Sequence, residues 1–246
     1  MRAIGIIPAR MQSSRFPGKP LVDILGMPMV IHVLKRAQLS KNLAEVFVAT
    51  DSPEIFDCVL SYGGKAIMTS VAHQTGTDRI AEASDKLTCD IVVNIQGDEP
   101  LVKPEDIDKL VESMMVDPSV YFAALVCKTP QFGEITECKV VMDCNKDIMY
   151  MSRSDIPSNT RSRVQYLHKL YCVAAFRKEW LKKFSCWPQT ELEKIEYIEY
   201  LRILENGQHI RGVVIEEYTT SVDTPQDLKV ILEMMEKDII KFKYLK

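Results

Sequence analysis

Ala3-Ile4-Gly5-Ile6-Ile7-Pro8-Ala9-Arg10-Met11-Gln12-Ser13-Ser14-Arg15-Phe16-Pro17-Gly18-Lys19-Pro20-Leu21 is the stretch that decides the fold. Its first part, AIGIIP (3–8), is an unbroken apolar run, the pattern of a strand buried on both faces of a sheet. Its second part, RMQSSRFPGKP (10–20), is a loop punctuated by glycine and proline and loaded with cations and hydroxyls. A buried strand that delivers a polar loop is the unit of an open α/β sheet, in which ligands sit beyond the carboxyl ends of the strands.

Outward from there the unit recurs. PMVIHVLKRAQLS (28–40) has helical spacing, and EVFVAT (45–50) reads as a strand. Ser52 and Pro53 open the next helix as N-cap and first residue. KAIMT (65–69), the helix GTDRIAEASDKL (76–87), the strand DIVVNIQG (90–97) and a helix from Pro104 to 115 follow. Repeated β–α units predict a mostly parallel, Rossmann-like sheet, with loops 9–20, 70–76 and 97–100 on one rim. The second half changes character. VYFAALVCK (120–128), CKVVMD (138–143), IMYMS (148–152) and LHKLYCVAAF (167–176) are closely spaced β-like runs, with Asn145-Lys146-Asp147 as a hairpin turn. No linker intervenes, so residues 1–246 read as one domain with a β-rich extension over 120–176. Thr190 and Glu193 predict a capping box for a helix ending at Gly207; 209–218 reads as a strand, and Thr224-Pro225 opens the last helix.

Composition narrows the function. The chain has 246 residues, 46% apolar and 26% charged, with a formal net charge of -3. That balance argues against a non-specific nucleic-acid binder. No run of about eighteen apolar residues is present, which argues against membrane insertion. MRAIGIIPAR has no signal-peptide character, so a cytoplasmic protein is expected. Seven cysteines form no CxxC pair, and most read as reduced, buried small residues.

The 8–21 loop suits a polyphosphate, since cations and small donors gather directly beyond a strand. It is neither a Walker loop nor a GxGxxG fingerprint. IPAR-x-x-S-x-R-x-PGKPL resembles the signature of the sugar-acid cytidylyltransferases, most closely the 3-deoxy-manno-octulosonate (KDO) cytidylyltransferase family. The likeness continues through VATD (48–51), MTS (68–70), HQTGTDRIAE (73–82), VVNIQGDEPLV (92–102), KVVMD (139–143), MSRSDIP (151–157), LEKIEYIEYLRILENG (192–207) and VDTPQDL (222–228), in order over nearly the whole chain.

The resemblance implies a nucleotide-diphospho-sugar transferase fold. It implies transfer of CMP from CTP to a sugar acid with release of pyrophosphate, in lipopolysaccharide or capsule precursor synthesis. It also implies Mg2+ as cofactor and a homodimer, for which 120–176 could supply the interface. By the same resemblance Arg10, Lys19, Asp98 and Asp223 are catalytic, and Asp98 and Asp223 hold the metal. Ala9, Arg10, Ser13, Lys19, Gln74 and Asp98 bind CTP; Gln96, Arg153 and Glu199 contact the acceptor.

Asp51 reads as a turn residue and His73 as structural, while Arg79 either orients its loop or makes a structural salt bridge. Two positions depart from the family pattern. Leu170 stands where the family has histidine, with Cys172 for its glycine, and Tyr200 follows Glu199 where the family has glutamine. They predict a less polar acceptor wall. An amino-substituted octulosonate, another carboxylate or a phosphonate therefore stays open as acceptor, as does a non-catalytic nucleotide binder on the same fold.

Overall fold

The computed structural model describes residues 1–12, 16–216 and 220–245. Along the chain come β1 (Ala3–Ala9), a 3-10 turn (Lys19–Leu21), β2 (Asp23–Ile24), β3 (Met27–Pro28), α1 (Met29–Ala37), β4 (Leu43–Thr50), α2 (Pro53–Ser61), β5 (Lys65–Met68), α3 (Gly76–Asp85), β6 (Ile91–Ile95) and α4 (Pro104–Val116). The second half holds β7 (Phe122–Thr129), β8 (Lys139–Met142), β9 (Ile148–Ser152), β10 (Leu167–Arg177), α5 (Lys178–Cys186), α6 (Glu191–Glu196), α7 (Leu201–Glu205), β11 (Arg211–Ile215), α8 (Pro225–Lys237) and a 3-10 turn (Ile240–Lys243).

The main sheet runs β11-β7-β10-β6-β1-β4-β5, with β8 joined to β10 and β9 to β8. β5, β4, β1 and β6 are mutually parallel, whereas β10 runs against both β6 and β7. The predicted sheet is therefore parallel where the sequence shows β–α units and mixed where it shows consecutive strands. The chain leaves β1 toward β4 on one side and returns to β6 on the other, a switch point that opens a crevice at the strand ends. Alternation along β1 feeds two cores. Ala3, Ile7 and Ala9 pack with α1, α2 and α4, while Ile4 and Ile6 pack with α3 and α5. The 143–147 hairpin forms as predicted, with the Asp143 carboxylate accepting from the amides of Asn145 and Asp147 at 2.8 Å each.

Predicted element ends shift by one to three residues, the strand read over 209–218 spanning Arg211–Ile215 with its last two positions outside the described residues, and one predicted helix is interrupted. The helix predicted over 28–40 spans only Met29–Ala37. The helix predicted to run from Thr190 to Gly207 is broken in two. Tyr197 takes a left-handed conformation with φ 55°, and α7 starts again at Leu201. The cause lies across the fold. Arg153 donates from Nε to Glu196 O at 2.8 Å and from Nη2 to Tyr197 O at 3.1 Å. Those carbonyls would otherwise accept from residues one turn later. The break turns Glu199 inward, so it is not a charge on an exposed helix face.

Arg202 joins the two halves. Its Nε donates to Glu193 Oε2 at 2.8 Å, and its guanidinium lies 4.6 Å from the Phe184 ring centroid. Both side chains of this pair are 5% exposed. Removing one partner of a buried ion pair leaves the other uncompensated. The variant Arg202→Leu should therefore lose roughly 3–5 kcal/mol of stability, read as a fall in the denaturant midpoint; an unchanged midpoint would contradict this account of the junction.

Candidate active site

A crevice of about 850 Å³ lies at the carboxyl ends of β1 and β6. The loops after β1, β5 and β6 all reach it, as the shared-rim expectation requires. Pro8, Ala9 and Arg10 form one wall, Gln74, Thr75 and Gly76 a second, and Gln96, Gly97 and Asp98 a third. Lys19 and Asp223 close the mouth.

The loop of Lys19 is built by its glycine and proline. Gly18 sits at φ 71°, a left-handed conformation that favours glycine, and Pro20 pre-shapes the 3-10 turn that follows. The amide of Gly18 donates to Met11 O at 3.1 Å and closes the loop on itself. The turn aims the Lys19 side chain across the mouth. Its ammonium donates to Asp98 Oδ2 at 2.6 Å and to Val222 O at 2.8 Å, and lies 3.5 Å from Asp223 Oδ1. The backbone agrees, since Val222 N donates to Asp98 O at 2.9 Å. Thr224 caps α8 in a reciprocal box with Asp227, which fixes the turn presenting Asp223.

The wall at 70–76 is held from behind. Arg79 is buried and donates to Thr69 Oγ1 at 2.6 Å and to Asp51 Oδ2 at 2.8 Å. Arg79 thus makes the salt bridge and lines the crevice too, and Asp51 is more than a turn residue. His73 donates from Nε2 to Glu82 Oε2 at 2.6 Å. Ser70 N donates to the same carboxylate oxygen at 2.8 Å, and these bonds hold the Glu82 carboxyl down to about 2. Gln74 donates to Ala72 O at 3.2 Å and presents its amide to the crevice. Thr75 caps α3 with Asp78, so this helix starts at the crevice. The sequence reading did not use Thr75 and Gly76, although the T-x-x-D spacing signals such a cap.

Glu199 lies behind this wall. Its Oε2 accepts from Thr77 Oγ1 at 2.7 Å, its buried Oε1 has no hydrogen-bond partner, and burial pushes the carboxyl up. Of the other residues expected to contact the acceptor, Gln96 lines the crevice, whereas Arg153, Leu170 and Tyr200 do not. Arg153 spends its guanidinium on the carbonyls of Ile135, Thr136, Glu196 and Tyr197. Leu170, on β10, is half-buried against the α3–α5 core, and half-buried Tyr200 packs edge-on against Phe176, ring centroids 6.0 Å apart. Ser13 lies outside the described residues. Among the described residues, no group of three or more His, Cys, Asp or Glu could hold a metal.

Gly97 lets the third wall approach the first. A Cβ added there would meet Pro8 O at 3.0 Å. Gly97→Ala should push Gln96 and Asp98 away from β1 and weaken nucleotide binding roughly tenfold, since small displacements of positioning groups are costly; calorimetric titration with CTP checks this. The depressed Glu82 carboxyl also sets a pH dependence. Its stabilisation is present above the unfolded value of 4.5 and is lost as pH falls through about 2. Acid unfolding curves of Glu82→Gln should therefore be flatter than those of the unmodified chain between those values.

Comparison with known proteins agrees with this geometry. A family profile described as cytidylyltransferase matches residues 4–210. The 3-deoxy-manno-octulosonate cytidylyltransferase of Escherichia coli is 39% identical over 97% of this chain and 98% of its own length. That of Thermodesulfovibrio yellowstonii is 43% identical over 94% and 96%. The solved structure of CMP:2-keto-3-deoxy-manno-octonic acid synthetase complexed with CTP superposes with a TM-score of 0.93 at 38% identity, covering 96% of this chain and 99% of that one. A 4-diphosphocytidyl-2C-methyl-D-erythritol synthase from Anaerococcus prevotii, 14% identical with a TM-score of 0.65, shares the fold.

Proposed function

The chain belongs to the 3-deoxy-manno-octulosonate cytidylyltransferase family, and from that premise we propose that it transfers CMP from CTP to 3-deoxy-manno-octulosonate and releases pyrophosphate. The observation that carries the reading is the meeting of Lys19, Asp98 and Asp223 at one crevice mouth. In the reaction an acceptor hydroxyl attacks the α-phosphorus in line, its oxygen–phosphorus bond forms, and the bond to the β-phosphate oxygen breaks. Negative charge spreads over phosphate oxygens in the transition state, so positioning and fixed positive charge carry the catalysis.

Lys19 supplies that charge beside the phosphates, and Arg10 adds a second cation at the rim. The amides after β1, near Ala9, and the start of α3 offer donors to the nucleotide. Gln74 reads the cytosine edge through its amide. Asp98 and Asp223 fit Mg2+: they are hard oxygen donors, already gathered around one cationic group, and few enough to leave positions for phosphate oxygens and water. Bound there, Mg2+ would neutralise phosphate charge and polarise the α-phosphoryl group. Gln96 lines the crevice on the acceptor side.

The similarity to 3-deoxy-manno-octulosonate cytidylyltransferases supports the octulosonate over the other acceptors. Leu170 and Tyr200 are half-buried against the core and are not among the residues lining the crevice. A binder without chemistry would have no use for the three charges at the mouth. The same reading extends to a cytoplasmic homodimer through the 120–176 region, where Ile135 and Met149 are exposed; among the described residues no helix is long and apolar enough to cross a membrane.

Pyrophosphate release from CTP and 3-deoxy-manno-octulosonate tests the proposal. Lys19→Ala and Asp223→Asn should each lower kcat by about 10²–10³, the cost of deleting one preorganised electrostatic group, while circular dichroism stays unchanged. Folded variants that keep wild-type turnover would refute the assigned roles. Release that is absent with this acid but present with a phosphonate would refute the acceptor.

A further inference from the structure

A third, smaller core lies under the crevice mouth. Ile24, Met29, Leu101, Val222, Ile231 and Met235 are buried in it, with Phe16, Val22, Leu228 and Leu232 packed against it. Each segment that carries a charge of the mouth is anchored here. Phe16 and Val22 flank Lys19, Leu101 follows Asp98, and Val222 precedes Asp223.

Polar side chains from α1 lock this core from the far side. Arg36 and His32 are both 0% exposed, on a helix that is otherwise largely apolar on its buried face. Arg36 Nη1 donates to Leu101 O at 3.4 Å and to Val102 O at 3.3 Å, and Nη2 pairs with Asp238 just beyond α8. Arg36 Nε donates to Tyr244 Oη at 3.2 Å. Tyr244 Oη lies 2.9 Å from His32 Nδ1, and His32 Nε2 lies 2.8 Å from Ile24 O.

The direction of these bonds is fixed by chemistry. Arginine only donates and a carbonyl only accepts. Ile24 O therefore requires a hydrogen on Nε2, which makes Nδ1 of a neutral imidazole the acceptor for the Tyr244 hydroxyl. Burial, the largest influence, pushes the imidazole pKa down, and Arg36 adds to this against Asp23 and Asp238. Lys241 fastens the terminal turn to α8 by donating to Met235 O at 2.8 Å. The side chains of His32, Arg36, Asp238, Lys241 and Tyr244 do not line the crevice.

We propose that His32 and Tyr244 are positioning residues for cytidylyl transfer: with Arg36 they tie the C-terminal turn to Ile24 and to the 101–102 backbone, and so hold the Lys19, Asp98 and Asp223 segments in register. The inference rests on the cytidylyltransferase reading for its kinetic readout. The contacts act through the placement of the three charges around the reacting phosphates, so their loss is expected in kcat more than in KM for CTP.

The test uses the full chain with Tyr244→Phe, His32→Leu and His32→Gln. A glutamine at 32 can accept from Tyr244 and donate to Ile24 O, whereas leucine can do neither. Tyr244→Phe and His32→Leu should lower kcat roughly three- to thirty-fold, as small misplacements at a reacting centre do, with a smaller change in KM for CTP. His32→Gln should recover most of the loss. Amide hydrogen exchange should quicken in 16–24, 97–102 and 220–224 while β4 stays protected.

Folded Tyr244→Phe with wild-type kcat and unchanged exchange in those three segments would overturn the proposal. So would exchange that rises evenly over the whole chain with His32→Gln as impaired as His32→Leu, which marks a loss of stability alone. If His32→Leu fails to fold, Tyr244→Phe, which removes one oxygen, decides. If the unmodified chain turns over no CTP, the enzymatic reading fails and the exchange pattern alone judges the clamp.

Discussion

An ammonium group shared by two carboxylates from distant parts of the chain is the constraint around which the site is organised. Lys19 reaches Asp98 and Asp223 from a different segment, and the Val222–Asp98 backbone bond draws the two acidic loops together. Like charges at close range repel, and a cation between them makes the arrangement tolerable. The same balance suits an enzyme that must receive a polyanion with a divalent ion. In the proposed reaction the acidic pair would hold the metal, and the lysine would lie beside the phosphates.

Little of this is built by the mouth residues themselves. β1 and β6 set the crevice at the switch point of the sheet, and Gly97 allows the loop after β6 to press against Pro8. Arg79 and Glu82 brace the 70–76 wall through Asp51, Thr69 and His73. Each is a charged or hydrogen-bonded group whose partner is also protein, as buried polar groups require. The region around Glu199 is assembled differently. Arg153 breaks the 190–207 helix by taking its carbonyls, and the break delivers Glu199 to the back of the α3 terminus.

Much of the architecture was legible in the sequence because hydrophobic period and caps are local signals. AIGIIP, EVFVAT and DIVVNIQG announced their strands, and Ser52, Thr190 and Thr224 announced their helix starts. The shared rim followed from strand–loop order, and the meeting of Asp98 with Asp223 followed from that rim together with the family resemblance. Non-local causes were not legible. The break at Tyr197 depends on an arginine far back in the chain, so helical periodicity predicted one helix. The half-buried positions of Leu170 and Tyr200 depend on packing against the α3–α5 core, Tyr200 on Phe176, which no motif encodes. Asp51 looked like a turn residue because Arg79, its partner, is reached only through the fold. His32 and Arg36 carried a faint signal, two polar residues four apart within an apolar helical run.

Diffraction from crystals of the protein with CTP and Mn2+ in place of Mg2+, recorded at the manganese edge, tests the central claim most directly. The account predicts an anomalous peak in contact with carboxylate oxygens of both Asp98 and Asp223, with the Lys19 ammonium against the phosphates. CTP seated in the same crevice with manganese bound to neither carboxylate would contradict it.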